Sequence, residues 1–225
     1  MAKSAHYFIY TTSPWRKWIN EQRENAYLLF KRCLDLLLIL ALSPLWVPVF
    51  LTACIFIKLD SYGPIIFVQK RVGLDGKVFS FYKFRTMYQG SEVELKNIYH
   101  LNESNDGVIF KLKKDPRVTR MGKILRKTSL DELPQLFNII LGHMTIVGPR
   151  PPIVTEVEKY TLEQRKRLMV RPGLTCLWQI SGRSDLPFKV QFRMDQEYIR
   201  SQSTWTDIKI MFKTIPAVFS GKGAY

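Results

Sequence analysis

Apolar positions along the chain follow three kinds of pattern. From Leu36 to Ile57 no charged residue occurs. As one straight helix this stretch would be roughly 33 Å long, enough for a hydrocarbon core of about 30 Å. It starts too far into the chain for a signal peptide, and no small-residue cleavage site follows it. Next, Pro64–Arg71 and Lys77–Arg85 read as short strands, and Gly73-Leu-Asp-Gly76 between them predicts the turn of a β-hairpin. The remaining patterns are helical. Val118, Met121 and Leu125 share one face of a helix expected after Asp115-Pro116, while Arg117, Arg120, Lys123 and Lys127 point elsewhere. Leu133, Leu136, Phe137, Ile140 and Leu141 repeat at helical spacing up to Gly142. Thr161 with Gln164 is a capping-box pair for another helix, which must stop before Arg171-Pro172. Trp205, Ile208, Met211, Phe212, Ile215 and Phe219 line one side of a last helix, kinked by Pro216, with Asp207, Lys209 and Lys213 on the other side. That stripe suits either a core or a bilayer surface. The polar run Ser91–Gly107 reads as a loop.

The uncharged stretch has two readings. A simple spanning helix is one. The other is a re-entrant helix–break–helix, which two features favour. Both flanks are basic: Arg16, Lys17, Arg23, Lys31 and Arg32 precede the stretch, and Lys58, Lys70, Arg71 and Lys77 follow it. The positive-inside rule then finds no asymmetry, as expected when both ends lie on one face. Ser43-Pro44 also sits near the middle, with Pro48 a turn later. Proline lacks the N–H that a helix needs there, and the serine hydroxyl can satisfy a freed backbone group. Residues 1–30 read as a juxtamembrane tail whose Trp15, Trp18, Tyr27 and Phe30 suit an interface. The expected division is therefore 1–30 tail, 31–58 hairpin and 59–225 a cytoplasmic domain at the membrane surface.

Charge narrows the partners. Lys and Arg total 34 against 19 acids, a formal net charge of +15. Such an excess points to phosphate-bearing substrates, anionic lipid headgroups or nucleic acid. No nucleic-acid motif, no GxxxxGK[ST] loop, no GxGxxG and no GxSxG elbow occurs. Cys33, Cys54 and Cys176 show no CxxC spacing, and His6, His100 and His143 are scattered. A disulfide framework and a zinc site are both excluded, so any metal here is a hard cation held by carboxylates and phosphates.

The chemistry concentrates at Asp131-Glu132. One reading is structural: Ser129-x-x-Glu132 matches a capping box, and acids are favoured at a helix N-terminus. The other is functional, with Asp131 as nucleophile and Glu132 as metal ligand. Arg150 lies on a proline-flanked turn, Arg171 precedes Pro172-Gly173, and Arg183 follows Ser181-Gly182. Each offers the planar donor fork that fits phosphate oxygens.

Taken in order, these stretches resemble the polyprenyl-phosphate hexose-1-phosphate transferases, the monotopic phosphoglycosyl transferases of the bacterial sugar transferase family. The resemblance runs from Lys31-Arg32-x-x-Asp35 and Ser43-Pro44 through Gln69–Gly73, Lys83-Phe-Arg-Thr-Met87 and Asp115–Thr119. It continues in Arg126–Gln135, Val147–Pro151, Arg171–Thr175 and the closing Gly221-Lys-Gly-Ala-Tyr225. It implies an α+β, mostly helical fold: a re-entrant membrane hairpin, a small cytoplasmic domain with a short β-hairpin, and interfacial amphipathic helices. It implies that Asp131 attacks the β-phosphate of a UDP-hexose, that UMP leaves, and that undecaprenyl phosphate then takes the sugar phosphate. Mg²⁺ would be held by Glu132 with Asp131, and phosphates by Arg126, Arg150, Arg171 and Arg183. Asp195 and Asp207 match further functional acids. The implied place is the cytoplasmic face of the bacterial inner membrane, with anionic lipids around it, no nucleic acid, and a homo-oligomer as one option. The implied process is exopolysaccharide, capsule or O-antigen synthesis. The closing segment resembles members that use glucose or galactose. Cys176, Ser184 and His143 depart from the usual glycine, asparagine and acid. Longer relatives carry a multi-helix membrane domain ahead of this unit, which implies a short member or part of a longer chain. The rival reading is a membrane-tethered basic scaffold that binds anionic lipid or polymer without turnover.

Overall fold

The computed structural model describes residues 25–103, 112 and 114–220. The expected interface residues Trp15 and Trp18 and the closing segment 221–225 lie outside the described residues, as do His6, Arg16, Lys17, Arg23 and residues 104–107 of the expected loop.

Two helices come first, α1 (Asn25–Ala41) and α2 (Ser43–Asp60), separated at Leu42. In an unbroken helix the Leu40 carbonyl would accept from residue 44, which is a proline without an N–H. Ser43 Oγ donates to that carbonyl instead, at 2.7 Å. The Ile39 carbonyl, one residue earlier, accepts from Trp46 Nε1 at 3.0 Å. The break is thus stabilised by local side chains, as non-helical backbone in an apolar setting requires. By length and composition α2 could cross a membrane, and only 11% of it is buried within the protein.

Strands β1 (Ile66–Val72) and β2 (Val78–Phe84) form the expected antiparallel hairpin, joined by a 3-10 turn at Leu74–Gly76. Arg85, just past β2, donates to the carbonyls of Ser61 (2.7 Å) and Tyr62 (2.6 Å), closing the end of α2 onto the hairpin. Gly63 makes room for it: a Cβ there would sit 2.1 Å from Arg85 Nη1.

The loop expected from Ser91 is in fact helical at its start. Ser91–Ile98 forms α3 and Tyr99–Leu101 a 3-10 turn. Its polar composition hid it, because a helix that buries little leaves no apolar stripe. The next helix, α4 (Arg120–Thr128), begins later than the spacing suggests, since Val118 is held in a bridge to Met87. Thr119 caps α4 by accepting from the Gly122 N–H at 2.9 Å, and Asp60 accepts from the Met121 N–H at 2.9 Å. Short α5 (Gln135–Ile140) follows, and Gly142 (φ 82) turns the chain out of it. Its apolar stripe is divided: Leu133 and Leu136 pack against buried clusters, Phe137 meets the rings of Trp46 and Phe50 in α2, and Ile140 and Leu141 are exposed, whereas Gln135, Asn138 and Ile139 are buried. Asn138 fastens α5 to β2, donating to the Ser80 carbonyl (2.7 Å) and accepting from the Tyr82 N–H (3.0 Å).

Strand β3 (Thr145–Val147) precedes α6 (Val154–Glu158), and β3 pairs in parallel with β4 (Gly173–Thr175). The Thr161–Gln164 capping box forms, with bonds of 2.9 and 3.3 Å, but it starts a 3-10 helix, Gln164–Met169. Two long helices close the chain, α7 (Phe188–Arg200) and α8 (Thr204–Ser220). The α8 stripe is outward at Trp205, Phe212, Ile215 and Phe219 and packs inward only through Ile210, Met211 and neighbours. The expected pairing of Asp207 with the solvated face does not hold, because Asp207 is buried at 3% exposure. It binds Lys31 of α1 and accepts from Tyr198 (2.8 Å) and Tyr27 (2.9 Å).

Other charged residues of α1 serve the same end. Arg32 donates to the carbonyls of Ile139 and Ile140 at the end of α5, and Asp35 accepts from Thr145 Oγ1 and the Ile146 N–H at the start of β3. The polar residues at the edge of the apolar hairpin thereby bolt it to the rest of the fold. Outward apolar faces on α1, α2, α5 and α8 remain.

Candidate active site

A cleft of about 1320 Å³ runs between these elements, with Lys83, Asp131, Glu132, Arg126, Arg150 and Arg183 in its lining. Its charged part is built by three elements. The first is the hairpin. Alternation along β2 places Lys83 on the same face as Phe79 and Phe81, and register sets Phe67, Gln69 and Arg71 of β1 opposite them. Phe67, Gln69, Arg71 and Lys83 all line the cleft.

The second element is the turn carrying the acids. Asp131 and Glu132 do not open α5; they lie in a separate 3-10 turn, Leu130–Glu132. The Ser129 capping box is not made: Ser129 adopts φ 57, ψ 15 and caps nothing with its side chain. Both carboxylates are consequently available to other partners. Asp131, only 7% exposed, accepts from Lys83 Nζ at 3.0 Å. Glu132 Oε1 accepts from Lys83 at 3.3 Å and from Arg150 Nη1 at 2.9 Å. Burial raises the Glu132 pKa, but the Lys83 and Arg150 cations outweigh it and hold the carboxyl down at about 2.

The third element is the turn after β3. Gly148 and Gly173 fix it by backbone contact, with the Gly148 N–H donating to the Thr175 carbonyl and the Gly173 N–H to the Pro149 carbonyl, both at 2.9 Å. A Cβ on Gly173 would lie 2.0 Å from the Gly148 nitrogen. The close approach that Gly173 permits is therefore to another strand, and its effect is to aim Arg150.

The other expected residues sit as follows. Arg126 donates to Thr86 Oγ1 at 3.0 Å at one side of the cleft. Arg183 lines the cleft from a left-handed backbone position, φ 52. Arg171 is exposed and outside the cleft lining; Arg32 and Asp35 are its charged neighbours. Asp195 is fully buried, with Arg167 Nη2 2.6 Å from its Oδ2. Burial pushes the Asp195 carboxyl up to about 6, against the pull of Arg167. Arg167 also donates to the Arg150 carbonyl at 3.3 Å, so Asp195 supports the Arg150 turn from behind. Asp207 belongs to the α1–α8 junction, while Ser43 and Pro44 form the helix break. Cys176 is buried and its thiol donates to Gln179 Oε1 at 3.0 Å. His143 stacks near Phe79, with ring centroids 5.5 Å apart.

Two cleft cations, Lys83 and Arg71, went unassigned in the sequence reading. Their signal was available: each is a cation at a core-facing position of an alternating strand. Burial, and then the neighbouring Arg150 cation, pulls Arg71 down to about 10. Its Nη1 donates to the Pro151 carbonyl at 2.6 Å.

Among the described residues no cluster of three or more acidic, His or Cys side chains is placed to cage a metal. The Asp131–Glu132 pair still fits a hard cation, because Mg²⁺ is commonly bound by one or two carboxylates plus substrate phosphates and water.

A family model described as bacterial sugar transferase matches residues 26–221. The chain is 48% identical over 163 residues to the galactosyl transferase CpsE of Streptococcus agalactiae, covering 72% of this chain and 36% of that protein. It is 45% identical over 170 residues to the undecaprenyl-phosphate galactose phosphotransferase of Salmonella typhimurium, covering 72% and 35%. It is also 44% identical over 202 residues to the exopolysaccharide production protein ExoY of Sinorhizobium fredii, covering 87% and 88%. The chain thus spans little more than a third of the first two relatives and most of the third.

Proposed function

The chain belongs to the bacterial sugar transferase family, and on that premise we propose that it moves a hexose-1-phosphate from a UDP-sugar to undecaprenyl phosphate through a covalent intermediate on Asp131. The observation that carries this reading is the placement of Asp131. It is a nearly buried carboxylate, 3.0 Å from Lys83, in a cleft that also holds Glu132, Arg150, Arg126 and Arg183.

In the first step an Asp131 carboxylate oxygen attacks the β-phosphorus of the donor. The bond to the bridging oxygen breaks, and UMP leaves with that oxygen and its electron pair. In the second, a phosphate oxygen of the acceptor attacks the same phosphorus, the new pyrophosphate bond forms, and the Asp131 carboxylate is released. Two polyanions thereby use one site in turn rather than together. Lys83 orients Asp131, and Arg150 holds Glu132 in place. Arg71, Arg126 and Arg183 supply positive potential for the phosphates. Mg²⁺, held by Glu132 with Asp131, would supply further charge neutralisation.

The setting is the cytoplasmic face of the inner membrane. The α1–α2 hairpin enters one leaflet and returns, with its break at Leu42 deepest, and the outward faces of α5 and α8 lie at headgroup level. Glucose or galactose is the sugar proposed. The test is sustained UMP release from a UDP-hexose panel in nanodiscs, requiring both Mg²⁺ and undecaprenyl phosphate and abolished by Asp131→Asn. UMP release of equal rate from the Asn variant would refute the reading.

A further inference from the structure

The cleft is not charged throughout. Its lining also includes an apolar furrow walled by two helices: Leu34 and Leu38 of α1, with Leu42 at its end, and Ile208, Met211 and Ile215 of α8. Ile146 of β3 and Leu174 of β4 form its floor. Both sets of wall residues repeat at helical spacing from a common origin. Lys31 lies one turn before Leu34, and Asp207 immediately precedes Ile208. These two are bonded to each other and to Tyr198, which pins the two helices together.

We infer that this furrow seats the isoprenoid tail of the acceptor, a deeper assignment that rests on the function proposed above. Three features fix the chemistry of the occupant. The furrow opens into the same cleft as Lys83, Asp131, Glu132 and Arg150, so one molecule can place an anionic head among cations and a long apolar tail between the walls. Its walls are continuous with the outward apolar faces of α1 and α8, so a chain leaving it passes into lipid rather than water. A sugar or nucleotide gains nothing from such walls, whereas a branched hydrocarbon gains stabilisation for every apolar surface it buries. The Lys31–Asp207 pair joins the two helices just before these apolar residues, and neither member lines the cleft.

The experiment compares two acceptors that share a phosphate and differ in tail: undecaprenyl phosphate and citronellyl phosphate, which has two isoprene units. Leu38→Trp and Met211→Trp, each narrowing the furrow, should raise KM for the long acceptor at least tenfold and for the short one less than threefold. Leu37→Trp, on the outward side of α1, should change neither. Equal rises for both acceptors, or none for either, would overturn the assignment. A long-tailed acceptor analogue bearing a diazirine on its early isoprene units should crosslink to peptides spanning 34–42 and 208–215. Crosslinking confined to other segments would overturn it as well, and this readout needs no turnover. If the unsubstituted protein transfers sugar phosphate to neither acceptor, the proposed function fails, and the crosslinks still decide the furrow.

Discussion

Lys83 Nζ lies 3.0 Å from Asp131 Oδ2, and the same nitrogen reaches Glu132 Oε1 at 3.3 Å. One cation from a strand therefore sets the spacing of two adjacent acids that a 3-10 turn presents. Lys83→Met removes both charge-assisted bonds while leaving the backbone pairing of β2 with β1 intact. Each such bond is worth about 1.5–3 kcal/mol, so kcat/KM should fall by roughly ten- to a hundredfold or more. Circular dichroism should remain that of the parent. Unchanged steady-state kinetics would show that Lys83 does not orient Asp131.

The pH dependence of stability isolates Glu132. Its carboxyl is held at about 2 against an ordinary value of 4.5. A depressed acid contributes stability that is fully present above its unfolded pKa and is lost as pH falls through the folded one. The difference in Tm between the parent and Glu132→Gln should therefore be constant above about pH 5 and shift steadily as pH falls toward 2, with the parent losing stability relative to the variant. A gap that changes between pH 7 and 5 would contradict the Lys83–Arg150 clamp.

Asp207 is a structural pin. Removing one member of a buried ion pair leaves the other charge uncompensated and costs about 3–5 kcal/mol. Asp207→Ala should lower Tm by on the order of 10 °C in a chain of this size. Thermal unfolding in detergent or nanodiscs measures it. A Tm within a degree of the parent would rule out the Lys31–Asp207 link as a joint of the fold.

Gly173→Ala tests how Arg150 is aimed. The added Cβ would lie 2.0 Å from the Gly148 nitrogen and 2.5 Å from its carbonyl oxygen. The β3–β4 contact must open, so both Tm and turnover should fall, turnover by at least tenfold as Arg150 leaves Glu132. Full activity in the Ala variant would mean that the Arg150 turn does not depend on this approach.

Features governed by local chemistry were legible in the sequence. The Ser43-Pro44 break, the β-hairpin and the Thr161–Gln164 cap each follow from residues close together in the chain. Helical spacing shows that a stripe exists but not which way it faces. Ile140 and Leu141 are exposed, and the buried side of α5 carries Asn138, bonded to β2, beside the apolar Ile139. Ser129 and Glu132 satisfied a capping pattern, yet Ser129 turned left-handed and freed the acids. Arg171 resembled Arg150 in its proline setting, but its neighbours Arg32 and Asp35 place it at the base of the hairpin. Strand alternation marks Lys83 and Arg71 as core-facing cations, and the β1–β2 register brings both to the cleft.

The central claim is that Asp131 becomes the temporary holder of the sugar phosphate. Incubating the protein with a UDP-hexose and Mg²⁺ but no acceptor, quenching rapidly and mapping peptides by mass spectrometry tests it most directly. The peptide containing Asp131 should gain the mass of a hexose phosphate, lose it when undecaprenyl phosphate is added, and never gain it in Asp131→Asn. Sugar-phosphate transfer to the acceptor with no adduct on Asp131 at any quench time would contradict the account.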